Sequence, residues 1–374
     1  MRHILALMKK EFIQLRRDPR LIGFIVLTPV ALLVLFGFAL KLEPENVRMA
    51  YVDEDRSVFS NLIKTNIWSE GYFLLYKVKN EEAVIEDSRT GKAKAGLFID
   101  KDFSAKLIEN EQPVVRMYVD GTMPSLATAM DNNSGAVTDK NVTNDMYFLD
   151  PDEENVVIPP EPFLLDLEIL FNPDKKETWF FLPGVIGVLI MQISLILTST
   201  AIVREKENRT MEQIIVSPVT KTEFILGKTL PYFLIALSDF YFILLLGWIF
   251  FDLPEPSSQG LLFLLAFLYT VGLIALGLAV STVSQTQQQA IFLSVFILIP
   301  SILLSGFIFP VEAMPDFIKP FSYLLPFTYF VKIIRGILLK GNDFPVLAAS
   351  FSVLAGFAVT FTLVSIGRFQ KTIE

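Results

Sequence analysis

Long apolar runs dominate the pattern of hydrophobic and polar positions along the chain. Six segments hold about 20 mainly apolar residues, the length that a helix needs to cross roughly 30 Å of hydrocarbon. The pattern therefore predicts an α-helical polytopic membrane protein with about six transmembrane helices, the first within residues 21–41. The predicted spans are Leu21–Leu40, Phe180–Val203, Phe224–Phe251, Gly260–Val283, Ala290–Phe309 and Phe344–Gly367.

Lysine and arginine residues near the ends of these spans collect on one side. Such residues mark the cytoplasmic side of a membrane protein, whereas the loop 252–259 contains none. We therefore expect both termini to be cytoplasmic and the segment between the first two spans to be extracytoplasmic. The basic residues on the predicted cytoplasmic side are Arg2, Lys9, Lys10, Arg16, Arg17, Arg20, Arg204, Lys206, Arg209, Lys221, Lys228, Arg368 and Lys371.

Residues 42–176 differ from the rest of the chain in composition. They hold 26 of the 40 acidic residues but only 14 of the 32 basic ones. Short apolar strands alternate here with amphipathic helices, which predicts an inserted extracytoplasmic α/β domain. The proline-rich stretch Asp150–Pro162 is expected to be an extended link, after which Leu164–Lys176 returns to the membrane. The predicted strands are Val47–Val52, Phe73–Lys77, Ala95–Ile99 and Val114–Val119, and the predicted helices are Ser57–Trp68, Glu81–Arg89, Asp102–Ile108 and one from Ser125 toward Tyr147.

The sequence offers few groups for catalysis or metal binding. It has no cysteine and a single histidine, His3. Asp53, Asp55 and Asp120 are interpreted as loop-end and capping carboxylates, because no ligand spacing surrounds them. Gly227–Thr229 matches the end of a phosphate-binding loop, but the first glycine of that motif is missing and no strand precedes it. We expect no catalytic residue, no metal and no cofactor bound by this chain, and no nucleic-acid partner.

Residues 1–20 predict a cytoplasmic amphipathic helix at the membrane interface. Ile4, Met8, Phe12 and Leu15 recur at helical spacing and form an apolar stripe, while the cations lie mostly off it. The helix is either a plain anchor on anionic lipid or a lever that touches a cytoplasmic partner. The pattern alone leaves both open, with the anchor the simpler interpretation.

The segment 204–224 joins the second and third predicted spans on the basic side. A charged run, Arg204–Glu207, is followed by a short predicted helix, Thr210–Ile215, which Ser217 and Pro218 end. A short stiff helix between two spans can pass a push from a soluble partner into both of them. The simpler alternative is a solvated connector.

Two further features have both a structural and a mechanical interpretation. Asp239 lies inside the third predicted span, where a charged group faces protein or water; it either fixes helix packing or a dimer seam, the simpler interpretation, or lines a translocation path. The second predicted span has a polar side that also fits helix packing, formed by Gln192, Ser194, Thr198, Ser199 and Thr200. Residues 310–342 contain several prolines and two short apolar segments, Phe321–Leu325 and Phe327–Leu339. These fit an outer re-entrant hairpin of half-helices that is either a gate or a static plug.

The chain resembles the permease subunits of type-2 ABC exporters, also called ABC-2. The resemblance covers nearly the whole chain and is strong after Trp179, with Asn208 standing where the family phrase usually has glycine. The matching phrases are REKENRTMEQIIVSPVTKTEFILGKTLPY at Arg204–Tyr232, QTQQQA at Gln285–Ala290, LLSGFIFPVEAMP at Leu303–Pro315 and LLPFTYFVKIIRGILLKG at Leu324–Gly341.

This resemblance implies a multi-pass protein of the bacterial cell (inner) membrane that exports a drug, lipid or other amphiphile. Two permease chains, identical or related, would pair with two copies of an ABC ATP-binding subunit that supplies ATP and magnesium. It implies ATPase-coupling roles for Lys10, Glu11, Arg204, Glu205, Lys206, Glu207, Thr210, Glu212, Gln213, Ser217 and Pro218. It implies an outer hairpin gate that includes Ser305, Gly306, Phe309, Pro310, Pro315 and Arg335.

Two other classes of function stay open at this point. A membrane-anchored sensor or cell-surface receptor would use the outer domain to bind a ligand and would need no ATPase. A proton-driven secondary transporter would need a relay of ionisable groups in the membrane, and Asp239 is the one clear candidate within the predicted spans. Co-purification of an ATP-binding subunit would favour the exporter over both.

Overall fold

The computed structural model describes residues 2–17, 47–69, 73–109, 111–137, 163–210, 219–308, 311 and 314–368. The predicted first span, Leu21–Leu40, and the predicted link, Asp150–Pro162, lie outside the described residues. The described residues divide into two compact units. One lies within Met1–Ala39 and Phe181–Glu374, and the other lies within Leu40–Phe180.

The second unit is a mixed α/β fold. Its elements, numbered after the N-terminal helix α1 (Arg2–Arg17), are β1 (Val47–Asp53), α2 (Val58–Ser69), β2 (Phe73–Lys77), α3 (Glu81–Thr90), β3 (Ala95–Ile99), α4 (Phe103–Ile108), β4 (Val114–Asp120), α5 (Pro124–Val137) and β5 (Leu164–Leu170). Its sheet has the strand order β2-β1-β3-β4-β5. β1 pairs in parallel with both β2 and β3, β3 and β4 are antiparallel, and β4 and β5 are parallel.

The central strand β3 is buried along its whole length, as its unbroken apolar sequence predicts. Gly96 lets helix α3 approach the sheet, because an added Cβ would lie 2.0 Å from a methyl group of Val84. Asn80 caps the start of helix α3, because its side chain accepts a hydrogen bond from the backbone N–H of Ala83. Gly91, with φ +79°, caps the end of this helix. The two caps thus fix the ends of α3, and the missing side chain of Gly96 lets this helix pack closely on β3.

The four predicted strands and the helices between them are confirmed, with no end shifted by more than one residue. Leu164–Lys176 was expected only to return the chain to the membrane, and the strand within it was not predicted. Leu164–Leu170 is strand β5, paired with β4 from Val114↔Leu164 to Asp120↔Leu170. The alternation of apolar and acidic residues in β5 suits an edge strand with one packed face. The strand is short and follows the proline-rich stretch, which obscured this signal.

The other unit is helical. It contains the N-terminal helix α1 (Arg2–Arg17) and a set of longer helices. Five described helices are long and apolar enough to cross a membrane, so the last five predicted spans are confirmed as helices. They are α6 (Glu177–Glu207), α7 (Lys221–Phe251), α8 (Gln259–Val283), α9 (Gln287–Leu304) and α12 (Phe344–Arg368). Two shorter helices lie between α9 and α12 in the sequence, α10 (Lys319–Ser322) and α11 (Pro326–Leu338).

Helix α6 is the most buried of the candidate spans and packs against α8 through small residues. Its middle turns, Gln192–Leu197, are π-helical. At Gly277 of α8 an added Cβ would lie 2.9 Å from the carbonyl oxygen of Leu195. A small residue is therefore required where the two backbones meet, as is common between membrane helices.

Two predicted boundaries in the helical unit are wrong. The fifth span was expected to run from Ala290 to Phe309, but α9 ends at Leu304. Gly306 then takes φ +85°, a left-handed conformation that ends the helix although the apolar sequence continues. The half-helix expected at Phe321–Leu325 is the single turn α10, which starts two residues earlier at Lys319. The second half-helix is confirmed as α11.

Candidate functional site

Helix α1 lies against α7 near the start of that helix. Gly227 gives the close approach, since an added Cβ would lie 2.7 Å from Cβ of Leu7. Leu7 also packs on the buried cluster formed by Ile202, Phe224 and Leu278. The face of α1 that contacts the bundle therefore includes Leu7, which the predicted stripe omitted, whereas Phe12 on that stripe is 41% exposed.

A buried ionic cluster joins α1, α6 and α7. Lys228 of α7 binds Glu11 of α1, and its Nζ lies 2.5 Å from Oε1 of Glu205 on α6. Tyr232, one turn further along α7, donates a hydrogen bond to Oε2 of Glu11 at 2.9 Å. Lys10 donates to the same oxygen of Glu205 at 2.8 Å. We call these five residues the α1 latch.

The three central residues of the α1 latch are almost completely buried. Glu11, Glu205 and Lys228 are 2%, 3% and 1% exposed. Two carboxylates face two ammonium groups, so the cluster is balanced in charge. Removing one member of such a buried group leaves an uncompensated charge, which costs about 3–5 kcal/mol. The latch therefore fixes the position of α1 on the bundle.

The end of α6 makes a second set of contacts with the turn between α8 and α9. Lys206 donates to the carbonyl oxygens of Ser281 at 2.6 Å and Ser284 at 3.4 Å. Arg204 donates to the side chain of Gln287 at 3.2 Å, and the backbone N–H of Gln287 donates to Glu207 at 2.9 Å. The charged run after the second predicted span is thus joined to two further spans.

Seven of the predicted coupling residues are brought together by this geometry. Thr210 joins them through a hydrogen bond from its hydroxyl group to the Glu205 carboxylate. Glu11 and Glu205 are buried, so in this conformation they hold elements to one another and present no surface to a partner. The predicted residues Glu212, Gln213, Ser217 and Pro218 lie outside the described residues. The seven residues are Lys10, Glu11, Arg204, Glu205, Lys206, Glu207 and Thr210.

Sequence reasoning missed Lys228, Tyr232 and Gln287. Lys228 was considered as part of a failed phosphate-binding motif and as one of the basic residues near the span ends. The available signal was its position seven residues into a continuous apolar helix, where a lysine needs a buried partner. Gln287 belongs to the phrase QTQQQA, and its contacts with Arg204 and Glu207 at the end of α6 explain a polar residue at this position.

The intramembrane polar residues occupy packed positions. Asp239 on α7 is 7% exposed, and its Oδ2 has no hydrogen-bond partner within the described residues. Gln192 is half-buried at the start of the π-helical turns, and its Oε1 likewise has none there. Ser199 of α6 lies 3.2 Å from the hydroxyl group of Ser294 on α9, which supports the predicted polar packing face of this span.

The segment after α9 is tied to α11 by one arginine. Arg335 donates from Nη1 to the carbonyl oxygen of Gly306 at 2.9 Å and from Nη2 to that of Phe307 at 3.1 Å. Ser305 is buried and accepts the N–H of Phe307, while Pro315 is exposed at the start of the turn before α10. Phe309 and Pro310 lie outside the described residues.

Aromatic side chains fill the space beneath this segment. Phe307 is fully buried, with its ring centroid 6.3 Å from that of Phe181 and 5.9 Å from that of Phe327. Gly184 of α6 makes room for it, because an added Cβ would lie 1.9 Å from a Phe307 ring carbon. Phe307 is therefore packed against α6, while hydrogen bonds join Gly306 and Phe307 to α11.

Comparison with known proteins gives the family. The family model for the ABC-2 family transporter protein matches residues 19–366, which is most of the chain. The chain belongs to the ABC-2 family of transporter proteins. Membership implies an ABC transporter with an ATP-binding partner, and it favours the transporter over the sensor interpretation.

Three relatives each match more than nine-tenths of this chain, and two of them are covered over nearly their whole length. The probable multidrug ABC transporter permease YbhS of Escherichia coli K12 is 28% identical over 96% of this chain and 94% of its own length. YbhR of the same strain, with the same description, is 27% identical over 98% of both chains. ABC transporter G family member 20 of Dictyostelium discoideum is 23% identical over 91% of this chain, which covers 46% of that protein.

Proposed function

We propose that this ABC-2 chain is the membrane subunit of an ATP-driven exporter that moves a hydrophobic or amphipathic substrate outward. A separate ATP-binding subunit binds ATP and magnesium and supplies the force. The multidrug descriptions of the two E. coli relatives support a drug, a lipid or a similar amphiphile as the substrate class. The bacterial inner membrane is the proposed location, with six spans and both termini in the cytoplasm.

The α1 latch is the observation that carries this proposal. It joins an amphipathic helix at one end of the chain to the ends of α6 and α7, and α6 is in turn joined to α8 and α9. A push on α1 or on the segment after Thr210 would reach four candidate spans through polar contacts, which are buried in the latch and exposed between Glu207 of α6 and Gln287 of α9. Such contacts hold elements in one of a few discrete arrangements and do not deform continuously.

The proposed cycle needs two copies of the ATP-binding subunit and a second permease chain, identical or related. ATP binding would close the two ATP-binding subunits and tilt the spans through α1 and the segment 204–224. The tie between Arg335 and the Gly306–Phe307 carbonyl groups would open as the outer hairpin moves, so the hairpin acts as the outer gate. The α/β unit would stand outside the membrane.

Co-expression of the chain with its ATP-binding subunit tests the proposal. We expect the two to co-purify in mild detergent, and vesicles holding the complex to move a fluorescent amphipathic dye when ATP and magnesium are added. Vesicles with a Walker-lysine variant of the ATP-binding subunit are the control and should not move the dye. Dye movement that is unchanged without ATP, or failure of the two proteins to associate, would contradict the proposal.

A further inference from the structure

Five carboxylate groups are buried among the described residues, and all but one of them are paired with a lysine. The exception is Asp239 of α7, which is 7% exposed. No lysine, arginine or histidine of the described residues pairs with it, and its Oδ2 has no hydrogen-bond partner there. Such an exception in a native structure calls for an explanation, such as an ion that the chain itself does not supply. The four paired groups are Glu11 and Glu205 with Lys228, Asp53 with Lys64, and Asp120 with Lys94.

Asp239 lies well inside a candidate span. It is on the same face of α7 as Lys228 and Tyr232 of the α1 latch, because these three positions follow helical spacing. At 1.5 Å per residue, Asp239 is about 16–17 Å further along the helix than Lys228. A charged group at such a depth is unfavourable unless it faces an opposite charge, water or a ligand path. The missing partner therefore favours the path interpretation of Asp239 over the packing one.

The neighbours of Asp239 on α7 are apolar. The side chains three and four residues away share its face, and none of them carries a polar group. The hydroxyl group of Ser238 is already bonded to the carbonyl oxygen of Leu234 at 2.8 Å. A metal ion such as Ca²⁺ needs six or more oxygen ligands, and the described residues contain no cluster of metal-binding side chains. One carboxylate in apolar surroundings instead suits a cation whose charge is surrounded by hydrocarbon. The four neighbours are Ile235, Ala236, Phe242 and Ile243.

We infer that Asp239 binds the positive charge of a lipophilic organic cation, while the apolar side chains around it contact the rest of that cation. The inference rests on the proposed export function and names its substrate class, amphiphiles with a permanent positive charge. The carboxylate selects for charge, because it attracts a cation and repels an anion more strongly in low-dielectric surroundings than in water.

The position of Asp239 also links this site to the proposed cycle. Asp239 is nearly covered in this conformation, and the tilt of the spans in that cycle would expose it. Because Lys228 lies on the same face of α7 and joins this helix to α1 and α6, a movement passed through the latch also moves the site. Cation binding at Asp239 and the force applied to α7 thus act on one rigid helix.

Two ions of the same shape and opposite charge test the site without ATP. The full chain in a neutral detergent is titrated with tetraphenylphosphonium or with tetraphenylborate in a calorimeter. We expect tetraphenylphosphonium to bind more tightly than tetraphenylborate. Asp239→Asn should weaken tetraphenylphosphonium about tenfold, which corresponds to ~1.4 kcal/mol, whereas Asp239→Glu keeps the charge and should retain binding. Equal binding of tetraphenylphosphonium by the wild type and Asp239→Asn would overturn the inference.

A second carboxylate provides the matched control. Asp316→Asn makes the same chemical change at a side chain that is 97% exposed and paired with Lys319. Lys319→Gln removes the opposite charge of that pair. Both variants should bind tetraphenylphosphonium like the wild type, and a loss in Asp316→Asn equal to that in Asp239→Asn would show that net charge attracts the ion. If Asp239→Asn does not fold, equal binding of the two ions by the wild type still overturns the inference.

Transport by the complex separates a failure of this inference from a failure of the proposed function. Vesicles that hold the chain and its ATP-binding subunit receive ATP and magnesium with either a permanently cationic dye or a neutral amphipathic dye. Asp239→Asn should move the cationic dye about tenfold more slowly and the neutral dye at the wild-type rate. Equal losses for both dyes would show a purely structural role and contradict the inference. If the wild type moves neither dye, the proposed function fails, and the tetraphenylphosphonium titration alone decides the site.

Discussion

The ammonium group of Lys228 lies 2.5 Å from a carboxylate oxygen of Glu205 and also binds Glu11, so one side chain joins three helices. All three residues are almost completely buried. The N-terminal helix is therefore fixed to the bundle by charge and cannot slide freely on the membrane surface. This contact favours the lever interpretation of the helix over the plain anchor.

Lys228→Met should lower the stability of the chain by about 3–5 kcal/mol, because two buried carboxylates lose their shared partner. The double variant Lys228→Met with Glu11→Gln should recover most of that loss, since Glu205 keeps its contact with Lys10. Thermal unfolding in detergent measures both. A double variant no more stable than the single one would show that the latch contributes through packing and not through charge.

Gly184→Val should destabilise the helical unit, because even a Cβ at this position would lie 1.9 Å from the ring of Phe307. Adding Phe307→Ala should restore part of the lost stability by removing the clash. Gly356→Ala is the matched control, since nothing lies within 4 Å of a Cβ there. Unfolding temperatures that are equal for Gly184→Val and Gly356→Ala would contradict the close packing of Phe307 against α6.

Arg335→Gln should loosen the segment after α9, because hydrogen bonds from a charged donor each contribute about 1.5–3 kcal/mol. Hydrogen exchange of backbone amides at residues 305–308 should become faster. Lys332→Gln on the same helix is exposed and should leave this exchange unchanged. Unaltered protection in Arg335→Gln would mean that aromatic packing alone holds the segment closed.

The α/β unit should lose stability in acid through Asp53. Burial opposes ionisation of this carboxyl group, but hydrogen bonds from Lys64, the N–H of Arg56 and Ser60 outweigh it and lower its pKa below 3.8. A carboxyl group whose folded pKa is lowered stabilises the fold above its unfolded pKa, and that contribution is lost as the pH falls through the folded value. Hydrogen exchange of β1 and α2 between about pH 5 and pH 3 measures this loss.

Asp53→Asn provides the control for the acid effect. This variant should be less stable than the wild type at pH 6, and the difference between the two should shrink as the pH falls. A difference that stays constant across the range would show that Asp53 does not titrate differently in the folded and unfolded states.

The sequence predicted the elements whose signal is local. Apolar runs of span length gave α6, α7, α8 and α12, and strand-length runs gave β1 to β4, because both patterns follow from burial of neighbouring residues. The ends of α9 and the strand β5 were missed. Helix α9 stops at a backbone conformation that hydropathy does not report, and β5 needs a partner strand 50 residues away.

The coupling residues were predicted as a set, but their arrangement was not. Pairing of Glu11 with Lys228 joins residues 217 positions apart, and no periodicity links them. Charged residues near span ends are usually solvated, so Glu205 gave no sign of burial, and the position of Lys228 within α7 called for a buried partner without identifying it. The packing of Leu7 against Gly227 brings α1 close enough to form it.

The ratio of dye transported to ATP hydrolysed tests the proposed coupling most directly. It is measured in vesicles that hold the permease with its ATP-binding subunit, for the wild type, Lys228→Met with Glu11→Gln, and Lys319→Gln. We predict that the latch variant still binds the ATP-binding subunit and hydrolyses ATP but transports about tenfold less dye per ATP, a loss of ~1.4 kcal/mol of coupling. An unchanged ratio in a folded, associated latch variant would contradict the account.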